Sequence, residues 1–97
     1  MIVVRNTFQL KFGKAKDAKA LLQQIRQKSS KDFTPARILT DITGPYYTVV
    51  LEFEQESLSA WEAEQKQTLN DPSLRPLFEQ FYALVESGHR EIFSVME

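Results

Sequence analysis

The chain has 97 residues, room for one domain spanning 1–97 and little more. Thirteen acidic and twelve basic residues leave a net charge of −1, and 42% of residues are apolar, a globular composition that excludes a disordered chain. The absence of cysteine excludes disulfides, thiolate metal sites and thiol nucleophiles, and a single histidine excludes a multi-histidine metal site within one chain.

Residues 2–12 read as a strand, because Phe8, Leu10 and Phe12 alternate with Thr7, Gln9 and Lys11. Gly13 ends it. Residues 15–29 read as a helix, with Ala15, Ala18, Leu21, Leu22 and Ile25 on one stripe. Thr34-Pro35 opens an extended run, and 36–43, with Ile38, Leu39 and Ile42, is a strand. Gly44-Pro45 is a turn signal. Residues 46–54 have the strongest β-propensity in the chain and complete a hairpin.

A second helix starts near Ser57, where Ser59 and Glu62 have capping-box spacing. Leu58, Trp61, Gln65 and Leu69 share a face. Asn70-Asp71-Pro72 interrupts it, with Asp71 as N-cap and Pro72 in the first helical position. A third helix is predicted from Pro72 to about Ser87, closed by Gly88 at C′. Residues 89–96 return to a strand. The order is βαββαβ with a broken second helix, the ferredoxin-like α+β arrangement with a four-stranded antiparallel sheet.

In that topology the helices cover one sheet face. Both faces nevertheless carry large apolar groups: Tyr47, Val49, Leu51 and Phe53 on one, Tyr46 and Val50 on the other, with Ile38 opposing Leu39 and Ile92 opposing Phe93. Leaving such groups in water costs roughly 1.5–3 kcal/mol each relative to burial. A homodimer through the open sheet faces is therefore expected.

Charge is divided along the chain. Residues 1–40 carry a net +7 and residues 41–97 a net −8. A basic nucleic-acid face is one reading, and local neutralisation between neighbouring elements is the other. RNA-recognition modules share the βαββαβ order but place stacking aromatics and glycines on the hairpin strand. Here that strand reads Tyr46-Tyr47-Thr48-Val49-Val50-Leu51-Glu52-Phe53, so no nucleic-acid partner is expected. No apolar run approaches the roughly 20 residues of a membrane span. The start, Met1-Ile2-Val3-Val4-Arg5, does not read as a signal peptide, so a cytoplasmic protein with no membrane partner is expected.

The first strand and its turn, Arg5 to Lys14, resemble the dimeric α/β-barrel superfamily. So do Glu52-Phe53-Glu54 followed by a helix bearing Trp61, then Asp71-Pro72 and a closing strand. The branch most similar is the antibiotic-biosynthesis-monooxygenase-like proteins. That resemblance implies a dimeric α/β barrel and, in its enzymes, oxidation of aromatic or quinol substrates by O₂ without a cofactor. Haem-degrading relatives use an asparagine on the first strand, a tryptophan on the second helix and a histidine haem ligand. Asn6 and Trp61 match the first two, while the predicted helix after Asp71 holds no histidine, so neither haem nor another cofactor is expected.

The candidate catalytic residues are Asn6, Trp61 and His89. Asn6 is polar within a strand and can hydrogen-bond a substrate oxygen, or be an ordinary strand-edge residue. Trp61 can wall a pocket for a small flat aromatic ligand or simply fill the core. His89 titrates near neutrality and can act as a base, or sit exposed behind a helix end. Tyr46, Tyr47 and Tyr82 are candidate substrate-binding hydroxyls. Arg5, Arg37 and Arg90 can hold an anion, or pair across strands with Asp41 or Glu91. A non-catalytic dimer that binds a small apolar ligand, or is purely structural, is the rival reading.

Overall fold

The structure, a computed structural model, describes residues 1–28 and 35–96. Its elements are β1 (Ile2–Leu10), α1 (Ala15–Lys28), β2 (Arg37–Thr40), β3 (Thr48–Gln55), α2 (Leu58–Leu69), α3 (Arg75–Ala83) and β4 (Val85–Ser94). The strands form one antiparallel sheet in the order β2-β3-β1-β4. This is the expected ferredoxin-like α+β arrangement, with the second helical segment split in two. Ser29 and Thr34, assigned from the sequence to a helix end and a strand opening, lie outside the described residues.

Strand register sorts the side chains onto two faces. Val4 lies opposite Phe53 and Phe8 opposite Val49, so β1 and β3 bury one shared face. All three helices pack on that face. Ala18 and Leu22 of α1, Trp61 of α2 and Phe81 of α3 join Val4, Leu10, Val49, Leu51 and Phe53 in the main core. A smaller cluster of Ile25, Leu74 and Leu77 joins α1 to the approach and body of α3. The ring of Phe81 meets that of Phe8 edge-on at 5.2 Å, a favoured aromatic geometry.

Several boundaries differ from the sequence reading, each for a local reason. β1 stops at Leu10 rather than residue 12, because Gly13 turns the chain at φ 81° and Phe12 is left exposed. β2 and β3 are shorter than 36–43 and 46–54. Tyr47 adopts φ 59°, which breaks extension, and Asp41 Oδ1 accepts from the Thr48 N–H. The N-cap of α2 is Ser57, whose hydroxyl accepts from the Ala60 N–H, rather than Ser59. Of the predicted α2 face only Trp61 is buried, together with Thr68, while Leu58 and Leu69 are exposed.

α3 begins at Arg75, not Pro72. Asp71 instead organises the preceding turn by accepting from the Ser73 hydroxyl and N–H, which together hold its carboxyl below the usual range. α3 ends at Ala83, and Gly88 is a β4 residue opposite Phe8 rather than a helix cap. Its role is close approach. A Cβ there would stand 3.0 Å from the Thr7 carbonyl oxygen and 3.1 Å from the Phe8 ring.

The opposite sheet face has no helix over it. Glu52, on the well-paired central strand β3, is nevertheless buried. Arg5 Nε donates to its Oε2 at 2.9 Å, and Arg37 donates to its Oε1 through Nε, also at 2.9 Å, and Nη2. Hydrogen bonding from Arg37 outweighs the opposing effect of burial and, with Arg5, holds the Glu52 carboxyl below its ordinary pKa. Arg5 and Arg37 thus pair with Glu52 and not with Asp41 or Glu91. The triad also joins the basic first part of the chain to the acidic remainder, which is local neutralisation.

Candidate functional site

A cavity of about 300 Å³ lies between the sheet and the helices. Its walls are apolar: Phe8, Leu51 and Phe53 from the sheet, Leu22 and Ile25 from α1, Trp61 and Leu69 from α2, and Phe78 and Phe81 from α3. Polar groups enter at few points: Asn6, Arg26, Gln65, Tyr82 and Arg90. A small apolar cleft with a few convergent polar groups is the usual form of a small-molecule site.

Each of these side chains is placed by an element. Asn6 is on the helix-facing side of β1, opposite Leu51 on β3 and Arg90 on β4. That register brings Arg90 Nε to 2.7 Å from Asn6 Oδ1, so the guanidinium donates to the amide oxygen. Arg90 also lies over the Trp61 ring, 5.5 Å from its centroid, within reach of a cation–π attraction. Trp61 is 2% exposed and packs its ring 5.0 Å from that of Phe53. It is both a core residue and a cavity wall. Tyr82, half-buried on α3, has its pKa pushed up by burial, an effect that the Arg90 charge partly opposes. Its hydroxyl stays protonated and can donate near neutrality.

Asn6, Trp61 and Tyr82 therefore meet in one cavity. The other three candidates do not join them. His89 is on β4 opposite Thr7, on the open sheet face, exposed and 3.8 Å from Glu91. The sequence reading placed it at the start of the last strand, directly behind a helix ending at Gly88; it is a strand residue, but α3 ends at Ala83 and no helix end lies beside it in sequence. Tyr46 and Tyr47 line a separate, wider groove between α1 and the β2–β3 end of the sheet, with Lys16, Lys19 and Asp41.

Arg90, read from the sequence as an anion holder or a cross-strand partner of Asp41 or Glu91, lines the cavity and bonds Asn6 instead of either carboxylate. The signal that could have found its place is the β1–β4 register, which sets Arg90 beside Asn6.

Among the described residues no group of three His, Asp or Glu side chains could hold a metal ion, and no helix is long and apolar enough to cross a membrane.

No family model matches the chain, and no curated protein matches it. Solved structures do. A NIPSNAP family protein from Agrobacterium tumefaciens superimposes with a TM-score of 0.88 at 16% identity, covering 99% of this chain and 86% of its own. An uncharacterised NIPSNAP domain protein from Burkholderia xenovorans gives 0.84 at 17% identity, with 99% and 95% covered. A protein from Nitrosomonas europaea, provisionally named an antibiotic biosynthesis monooxygenase, gives 0.76 at 15% identity over the full length of both chains. At such identities the likeness carries the fold. The chain has a ferredoxin-like α+β fold, the fold of these NIPSNAP and antibiotic-biosynthesis-monooxygenase-like structures.

Proposed function

We propose that this protein binds a flat aromatic or quinol-like molecule in the cavity beneath its helices and oxidises it with O₂ without a cofactor. The observation that carries this reading is the convergence of Trp61, Asn6, Tyr82 and Arg90 on one apolar cavity. Trp61 and Phe53 form the buried aromatic wall against which a ring would pack. The amide of Asn6 and the hydroxyl of Tyr82 donate to a substrate oxygen, and Arg90 places positive charge where an oxyanion forms. Stabilising the anion raises electron density on the ring, the form that reacts with O₂. In the net reaction a quinol and O₂ give a hydroxylated quinone and water: one oxygen atom enters the ring, and the other leaves with two of the quinol's hydrogens.

Among the described residues the cavity lining includes no carboxylate or imidazole. That favours the second reading, a non-catalytic dimer that binds the same class of molecule, because proton removal then falls to solvent. Oxygen uptake decides between them. A quinol screen is expected to give uptake in the wild type that falls at least tenfold in Asn6→Ala and Trp61→Phe. Uptake that is absent, or equal in all three proteins, leaves the non-catalytic binder.

The same proposal includes a homodimer built through the open sheet faces. Leu39 and Phe93 are exposed there at 39% and 43%. Glu52 is already neutralised by two arginines, which lowers the cost of covering it.

A further inference from the structure

We infer that the ligand of this cavity is an aromatic acid, its carboxylate seated on the guanidinium of Arg90. This inference rests on the reading of the cavity as a site for a flat aromatic molecule, and adds the charge of that molecule.

Three observations point the same way. The first is the pairing of arginines. Arg5 and Arg37 are both committed to Glu52. Arg90 forms no ion pair among the described residues; its neighbour there is the neutral amide of Asn6. Only Nε is used in that bond, so the two terminal nitrogens keep their donors. The second is orientation. Asn6 at one edge and the Trp61 ring below fix the plane of the guanidinium, which removes much of the entropy that a free arginine loses on binding. A fixed planar fork matches the two oxygens of a carboxylate. The third is the charge of the lining. Arg26 and Arg90 contribute two cations, and among the described residues no aspartate or glutamate borders the cavity. Both arginines are exposed residues beside apolar walls, and a carboxylate gives Arg90 an ionic partner that a neutral ligand does not. The aromatic part of the ligand then extends from Arg90 along Trp61 toward Phe53 and Phe81.

Trp61 is the chain's single tryptophan, so its fluorescence reports on this cavity alone. The test titrates the full-length protein with naphthoate and with naphthalenemethanol, its neutral analogue of similar shape. Wild type is expected to bind naphthoate about tenfold more tightly, a gap that narrows as salt is raised. Arg90→Gln is expected to bring the naphthoate affinity down to that of the alcohol. Arg90→Lys, which keeps the charge but not the fork, is expected to restore part of it. Arg75→Gln removes the same charge outside the cavity lining and is expected to keep the preference. Equal affinity of the acid and the alcohol in wild type overturns the acid assignment while leaving the aromatic cavity intact. A preference lost equally in Arg75→Gln and Arg90→Gln overturns the assignment to Arg90. Failure of both probes to change the Trp61 fluorescence overturns the cavity reading and this inference with it.

Discussion

Gly88 and Phe8 share a space that holds one side chain. The Phe8 ring lies across β4 at the glycine and then meets Phe81 edge-on. Gly88→Ala puts a methyl group 3.0 Å from a carbonyl oxygen, which is backbone and cannot swing away. Overpacking of this kind costs about 1–3 kcal/mol. Urea denaturation of the variant is expected to show that loss, and unchanged stability would mean that β4 shifts freely against β1. The sequence marks Gly88 as a breaker but does not say of what, since glycine serves a helix end and a crowded strand equally well. Asn6 and Trp61 were legible because each breaks a local rule: an amide inside a strand, and a lone tryptophan on a helix. Which of His89 and Arg90 looks inward was not legible, because neighbours on a strand point to opposite faces and only the pairing with β1 fixes the phase.

At the scale of elements, the sheet is fastened across β1, β3 and β2 by the Arg5–Glu52–Arg37 triad. Glu52→Gln keeps the shape and removes the charge, and is expected to cost about 1.5–3 kcal/mol near neutrality. The sign with pH follows from the depressed pKa of Glu52 in the folded chain. Its contribution is complete above the ordinary glutamate value of about 4.3 and is lost as pH falls through the lower folded value. The difference between wild type and Glu52→Gln should therefore close in acid below that range. A difference that persists there would assign the loss to packing. Ser57→Ala removes the α2 cap and is expected to cost about 1 kcal/mol, whereas Ser59→Ala should cost little. Element order was readable because periodicity switches cleanly between two and 3.6 along the chain. The end of α3 was not. Val85 to Ser87 suit a helix by pattern, and the long-range pairing of Val85 with Leu10 and Ser87 with Gln9 places them in β4. Such tertiary pairing overrides local propensity.

For the whole molecule, one sheet face carries helices and the cavity, and the other carries a neutralised ion triad ringed by exposed apolar groups. If two such faces close on each other, sedimentation at micromolar concentration should give a dimer. Val50→Asp, at the centre of that face between Leu39 and Thr7, should give a folded monomer. A wild-type monomer would show that the face is left to solvent. Ligand binding in the cavity is read out by heteronuclear NMR during titration with naphthohydroquinone under argon. Saturable shifts of the Trp61 indole N–H and the Asn6 side-chain amide are expected, with the backbone signals of Tyr47 and His89 unmoved. Shifts confined to the groove beside Tyr47 or to the open sheet face around His89, with Trp61 and Asn6 unchanged, would contradict ligand binding in the cavity.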